Sequence, residues 1–335
     1  MLSDIQPYHK VGHLCIDDIV KVVADYFQND YIYMHTKGLC FTYSPKIKEG
    51  EEILSKLRTS NNYPTYLKDF TKELNYLKDF VGLDIEYVSD LTKEELVSLM
   101  RKNLSEAHPV AVISSTYYLP WHKQYYKKVS KLHTFLVTDM DDKTMLCVDG
   151  FISQESVRFE IEKLEDYTGI LIFRAIKPQK EITLHNILTQ IVQELEKNQK
   201  LKNSNSIREF AEDLRNITLL ESEKDRYSDL DYSDFMVGLK SIEFSRKNMS
   251  EMFLRLAEKF GVFQEEIRDI QLEIESVSQH WKTVVVLFVK GFYSGKMNYY
   301  TNRIAEKLLE IAKFEENVTN KILTLKQKTE EYHNM

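Results

Sequence analysis

The stretch His133–Phe151, HTFLVTDMDDKTMLCVDGF, contains two short apolar runs separated by a polar segment. Both runs are rich in Val, Leu, Phe and Thr, as β-strands usually are. The four residues between them, Asp141–Thr144, are typical of a hairpin turn. We therefore predict an antiparallel pair of strands, His133–Met140 and Met145–Phe151, and this hairpin decides how the surrounding residues are interpreted.

Two further apolar runs, Ala111–Ser114 and Gly169–Phe173, predict additional strands of the same antiparallel sheet. A helix is predicted over Cys15–Phe27, where apolar residues recur at helical spacing. From Thr183 onward nearly every segment has a helical period, interrupted by a polar break at Lys200–Ser206. The predicted helices of this half lie near 184–195, 234–260, 264–293 and 296–332. The sequence thus predicts an α+β fold: a domain with an antiparallel sheet over residues 1–176, followed by an all-α helical bundle over residues 177–335.

Composition excludes several classes of protein. The 335 residues include only 10 Gly and 6 Pro, too few for collagen-like or propeller-like designs. The net charge of −7 argues against a nucleic-acid-binding surface. The three cysteines lie far apart, so no disulfide framework is expected. Since no signal peptide or membrane-spanning run is visible, we expect a cytoplasmic protein that binds neither nucleic acid nor membrane.

Cys15 is the first residue of the predicted N-terminal helix. Unpaired N–H groups and the helix dipole at this position favour a thiolate and can also hold an oxyanion. Cysteine is also one of the most frequently buried residue types, so a purely structural role for Cys15 stays open.

His133 and Asp149 are expected to lie close together, because pairing through the predicted turn places residue 133 opposite residues 149–152. A histidine oriented by a carboxylate is the base half of a nucleophilic triad. The alternative is a structural hydrogen bond between the two side chains. The order of cysteine, then histidine, then aspartate along the chain is that of papain-like enzymes, and it favours the triad.

Four segments carry a resemblance to a known family: GHLCIDDIVKVVADYF, KGLCFTY, PVAVISSTYYLPWHKQYY and HTFLVTDMDDKTMLCVDGF. Together they resemble the N-terminal domain of the butirosin biosynthesis protein H family over about residues 10–175. The resemblance implies a papain-like domain followed by a mostly helical one. It also implies an acyltransferase that moves an acyl or aminoacyl group from a carrier-protein thioester to an amine, in secondary-metabolite or nonribosomal peptide pathways.

On this resemblance Cys15 is the nucleophile, His133 the general base and Asp149 the orienting acid. The donor would be the phosphopantetheine thioester of an acyl or peptidyl carrier protein, with no other cofactor. The acceptor would be a small-molecule or peptide amine. Gln6 is the only upstream glutamine that could complete an oxyanion hole. The aromatic residues Tyr117, Tyr118 and Trp121 could line a substrate cleft or belong to the core.

Three alternatives remain at this stage. A cysteine peptidase or amidase would use the same triad, and a non-catalytic interaction protein would keep only the fold. A zinc site built from His9, His13 and Cys15 with His35 or Cys40 is disfavoured, because only His9 and His13 have a spacing typical of zinc ligands. The long last helix is also suited to self-association as a homodimer.

Overall fold

The computed structural model describes residues 2, 4–43, 57–59, 75–153, 155–197, 203–215 and 234–333. The chain divides into two compact units. One comprises Met1–Met34 and Tyr63–Ile182, and the other comprises His35–Asn62 and Thr183–Met335. The first unit is α+β and contains a six-stranded antiparallel sheet.

The sheet of the first unit has the strand order β3-β8-β4-β5-β6-β7. Every neighbouring pair in it is antiparallel. The predicted hairpin is confirmed: β5 pairs with β6, Met140 lies opposite Met145, and Leu136 lies opposite Val148. The strands are β3 Leu83–Ser89, β4 Val110–Ser115, β5 Leu132–Met140, β6 Thr144–Val148, β7 Val157–Glu160 and β8 Tyr167–Ala175.

In the described residues, three α-helices accompany this sheet: α1 Cys15–Tyr26, α2 Asn75–Val81 and α3 Lys93–Ser105. The predicted N-terminal helix is therefore confirmed, and α1 packs against β5. It buries an apolar stripe at helical spacing, namely Ile16, Ile19, Val20 and Val23. Helix α3 packs against β4, β5 and β8 and adds Leu96 and Met100 to the core.

The sequence reasoning did not include β3, β7 or α3. Strand β7 has only four residues, and of these only Phe159 is buried, so its apolar signal is short. Helix α3 does carry a local signal. The hydroxyl of Thr92 accepts from the Glu95 N–H, and the Glu95 carboxylate accepts from the Thr92 N–H. This is a capping box, which marks the start of a helix.

The second unit consists mainly of helices. Those that lie in the described residues are α4 Leu184–Lys197, α5 Asn203–Arg215, α6 Asp234–Lys259, α7 Gln264–Ser294 and α8 Met297–His333. Helix α7 packs against both α6 and α8, and α8 also packs against α4 and α5. Part of the predicted polar break lies inside α5, because this helix already begins at Asn203; residues 198–202 lie outside the described residues.

Residues 35–62 group with these helices and not with the sheet, which differs from the predicted domain boundary at 176/177. Their two short strands, β1 Phe41–Tyr43 and β2 Leu57–Thr59, pair with each other and pack on α5 and α6. Buried Arg246 of α6 donates to the carbonyls of Leu39 and Cys40. A contact this distant along the chain gives no local sequence signal.

None of the helices in the described parts of the chain has the length and apolar character needed to cross a bilayer.

Candidate active site

Cys15, His133 and Asp149 come together in the first unit. Helix α1 places Cys15 beside β5, whose second residue is His133, and Asp149 follows directly after β6. His133 Nε2 lies 2.7 Å from Asp149 Oδ2. The Cys15 side chain forms a hydrogen bond with the same imidazole. Because Nε2 meets Asp149, Nδ1 is the ring nitrogen left for the thiol.

The charges around His133 favour its protonated form. Burial lowers the pKa of His133, but the charge of Asp149, then the charge of Cys15, and hydrogen bonds to both partners outweigh it and raise the pKa to about 10. An imidazolium between a carboxylate and a cysteine stabilises the thiolate of that cysteine. The arrangement therefore suits an ion pair of Cys15 and His133 that is ready for nucleophilic attack.

Trp121 holds Asp149 through the same carboxylate oxygen that contacts His133. Its indole Nε1 donates to Asp149 Oδ2 at 2.8 Å. The ring itself packs edge-on against Phe135 and Phe159, with ring centres 5.3 Å apart in both cases. Trp121 was predicted as a substrate-binding residue. The structure places its polar edge on the triad carboxylate, where it positions Asp149, and a substrate role for Trp121 stays a prediction.

The carboxylate of Asp149 stays ionised in this environment. Burial raises its pKa, but the charge of His133 and the hydrogen bonds from His133 and Trp121 outweigh this, so the net shift is downward. Asp149 can therefore act as a fixed negative charge behind the imidazole.

His122 is a site residue that sequence reasoning did not single out. Its ring lies edge-on to His133 with the centres 5.4 Å apart, and it is buried. Burial, followed by the positive charge of His133, lowers the pKa of His122 to about 4. A neutral ring beside His133 adds no charge that would compete with the imidazolium. The sequence signal that could have identified His122 is its position directly after Trp121, in the segment that follows the buried strand β4.

Residues 116–131 form a closed loop, here called the aromatic loop, that carries Trp121 and His122 to the triad. The ends of the loop are joined by the Thr116 N–H donating to the Lys131 carbonyl, and the Thr116 hydroxyl bonds to the Val129 carbonyl. Since both ends continue into strands β4 and β5 of the sheet, the two site residues are held by a fixed frame.

Tyr117 and Tyr118, predicted as substrate-binding residues, lie in the aromatic loop around a lysine of the same loop. Lys127 Nζ lies 5.0 Å from the Tyr117 ring centre and 4.6 Å from that of Tyr118. Lys127 itself adopts a φ of 57°, which is uncommon for a residue other than glycine. The two tyrosines thus form cation–π contacts with Lys127, and a substrate role for them stays a prediction.

The first turn of α1 is acidic, which works against a thiolate at its N-terminus. Asp17 accepts from the Leu14 N–H, and burial is the main reason that its pKa is raised to about 6. Asp18 is paired with two histidines, His9 and His13, at 2.7 and 3.0 Å. The expected effect of the helix dipole on Cys15 is therefore partly offset, and His133 is the main source of positive charge beside the thiol.

Residues 4–14, here called the N-terminal strap, pass directly over Gly150, the residue that follows Asp149. A Cβ at Gly150 would lie 1.9 Å from the Tyr8 carbonyl oxygen, so only glycine fits there. The next residues on each side also meet, since His9 and Phe151 have ring centres 5.0 Å apart. Gln6 of the strap is exposed, and its role as an oxyanion donor stays a prediction.

Within the described residues, no three or more His, Cys, Asp and Glu side chains are arranged to hold a metal ion. His9 and His13, considered above as zinc ligands, both contact Asp18 instead. In comparisons with known proteins, no family model matches the chain, and no curated protein sequence matches it.

Proposed function

We propose that the protein is a cysteine-dependent acyltransferase whose first unit is a papain-like domain and whose second unit is a helical bundle, as in the butirosin biosynthesis protein H family. The single observation that supports this most strongly is the chain of contacts from Cys15 through His133 to Asp149. The nucleophile contacts the base and the base contacts the orienting acid, which is the arrangement that acyl-enzyme chemistry requires.

The reaction has two steps. The Cys15 thiolate attacks the carbonyl carbon of a thioester, a new C–S bond forms, and the donor thiol leaves with the proton of the His133 imidazolium. An acceptor amine then attacks the acyl-Cys15 carbonyl and forms the amide. Its nitrogen gives a proton to His133 and the Cys15 thiolate leaves, which restores the starting ion pair.

A thioester donor fits a cysteine nucleophile because exchange of one thiol for another on an acyl carbon is close to isoenergetic. Formation of the more stable amide then drives the second step. A carrier protein has a basic surface to dock on, since Lys123, Lys127 and Lys128 of the aromatic loop are exposed. Opposite charges of this kind steer the encounter of an acidic partner.

Intact-protein mass spectrometry tests the proposal. The protein is mixed with an acyl N-acetylcysteamine thioester, and separately with an acyl carrier protein charged with the same acyl group. We expect a single acyl adduct that is absent from Cys15→Ala and present in Cys147→Ala, the matched control on a buried cysteine. Butylamine added afterwards should remove the adduct as the butylamide.

Three results contradict the proposal. An adduct that persists in Cys15→Ala removes the nucleophile assignment. An adduct that water removes as fast as butylamine does, together with cleavage of peptide substrates in the absence of any thioester, identifies the peptidase or amidase alternative. Absence of an adduct with either donor supports the alternative of a non-catalytic interaction protein.

A further inference from the structure

The strap carries a second histidine–carboxylate pair, beside the triad. His9 Nδ1 lies 2.7 Å from Asp18 Oδ2. The His9 ring meets one edge of Phe151, whose ring centre is also 6.0 Å from that of His133. The two imidazole centres are therefore no more than about 11 Å apart, and the exposed ring of Phe151 lies between them.

The contacts of Asp18 show that this pair is built into the fold. The other carboxylate oxygen of Asp18, Oδ1, contacts Nδ1 of His13, whose side chain is fully buried, and accepts from the Lys10 N–H. Asp18 itself is buried. Its Oδ2 is thereby fixed toward His9, whose side chain is 28% exposed. A buried carboxylate that orients a partly exposed imidazole is the arrangement of a general base.

The proposed transfer step requires such a base. An aliphatic amine is an ammonium ion at neutral pH, so its nitrogen must lose two protons to become an amide. His133 accepts one of them when the Cys15 thiolate leaves. The triad has no second proton acceptor, because His133 is then an imidazolium and Asp149 is already its counter-ion.

We propose that His9, oriented by Asp18, is the acceptor-side base that removes the first proton from an alkylammonium acceptor bound next to Phe151. This inference rests on the proposed function. The Asp18 contact uses Nδ1, so Nε2 is the nitrogen that takes the proton, and the carboxylate stabilises the imidazolium that forms. The deprotonated amine then attacks the acyl-Cys15 carbonyl, and its second proton goes to His133.

The test separates the two steps on the full-length protein. Acetylation of Cys15 by p-nitrophenyl acetate is followed by the release of p-nitrophenolate. The acetyl-enzyme is then treated with either butylamine or hydroxylamine, and its decay is followed by mass spectrometry. Butylamine arrives as an ammonium ion, whereas hydroxylamine is a much weaker base that is unprotonated at neutral pH. Only butylamine therefore needs the first proton to be removed.

His9→Asn is the informative variant, because its amide still donates to Asp18 but cannot act as a base. We expect acetylation of Cys15 to remain within about twofold of the wild type. Decay with butylamine should slow at least about tenfold, as loss of a general base does, while decay with hydroxylamine stays unchanged. His185→Asn, in the second unit, is the control and should change none of the three rates.

The inference is overturned if His9→Asn leaves the butylamine rate unchanged, or if all three rates fall together, since that pattern shows a merely structural strap contact. Should His9→Asn fail to fold, His9→Gln provides the same comparison, with the acetylation rate as its check of folding. Absence of acetylation in the wild type would instead contradict the proposed function itself, and with it the inference.

Discussion

Replacing Asp149 by asparagine tests the electrostatics of the site. Asparagine keeps the shape of the side chain and an oxygen for the Trp121 indole, but removes the negative charge beside His133. Raising the pKa of His133 from 6.5 to about 10 corresponds to about 5 kcal/mol in favour of the imidazolium. An adjacent opposite charge typically contributes about 1–3 pKa units. We therefore expect Asp149→Asn to lower the pKa of His133 by about this amount.

The same change alters the dependence of stability on pH. In the wild type, the stabilisation from the raised pKa of His133 is complete below pH 6.5 and is lost as the pH rises through about 10. The lowered pKa of Asp149 contributes stability that is lost on acidification. Without the carboxylate both contributions shrink, so the stability of Asp149→Asn should fall furthest below that of the wild type between pH 3.8 and pH 6.5, where both contributions are complete.

The assay is NMR of protein labelled with ¹³C in the histidine rings, with His133 assigned from its missing signal in His133→Gln. His280 of the second unit is the internal control and should titrate identically in wild type and variant. Asp149→Ala should lower the pKa of His133 at least as far and should also slow Cys15 acylation more, because it loses orientation as well as charge. An unchanged titration of His133 in Asp149→Asn would show that the charge of Asp149 does not raise the pKa of this imidazole.

Three further substitutions test packing and positioning. Gly150→Ala should cost about 1–3 kcal/mol in thermal unfolding, because its Cβ meets the backbone of the strap. The control, Gly238→Ala, has open space around its Cβ in a helix and should be neutral or stabilising. Equal melting temperatures of the two variants would contradict this expectation. Trp121→Phe keeps an aromatic ring but removes the indole donor to the triad carboxylate, a bond of about 1.5–3 kcal/mol. Thermal unfolding should lose about that much stability, and Cys15 acylation should slow roughly tenfold or more. Unchanged acylation in a folded variant would exclude the positioning role. Glu315→Leu leaves the buried Arg246 guanidinium without its carboxylate and should cost about 3–5 kcal/mol in denaturant unfolding. Much of this stability should be recovered in the double variant with Arg246→Met. If it is not recovered, the unpaired charge of Arg246 is not the cause of the loss.

The helix that begins at Cys15 and the His133–Asp149 pair could be anticipated from the sequence because both depend on local patterns. The contact of Cys15 with His133 joins residues far apart in the chain and was inferred from the order of the three residues and the resemblance. Cys15 begins a helix with a clear apolar stripe, and the turn at Asp141–Thr144 fixes the register that brings His133 and Asp149 to one end of a hairpin. Hairpin register depends on residues a few positions apart, and these are visible in the sequence.

The surroundings of the triad could not be anticipated in the same way. Trp121 and His122 reach the site through a closed loop whose path depends on contacts with two strands. The pairing of Asp18 with His9 and His13 depends on how the strap folds back over Gly150. Such placements are set by tertiary packing, and neither apolar periodicity nor turn composition reports them.

The membership of residues 35–62 in the second unit has a similar cause. It is fixed by buried Arg246, which bonds to Glu315 and to the carbonyls of Leu39 and Cys40. In the sequence, Arg246 follows Ile242 and Phe244 in a largely apolar helical stretch, and this pattern does not identify its partners. Its partners lie 69 or more positions away, so the domain boundary could not be read from composition along the chain.

Alkylation of the three cysteines measures directly whether Cys15 is activated. The protein is treated with iodoacetamide at pH 6 and the modified peptides are quantified over time against free glutathione. We expect Cys15 to react at least about tenfold faster than glutathione and to lose this advantage in His133→Gln. Cys40 and Cys147 are buried, and burial, followed by the charge of Asp149, raises the pKa of Cys147, so neither should react. If Cys15 reacts no faster than glutathione, or equally fast without His133, then His133 does not activate Cys15.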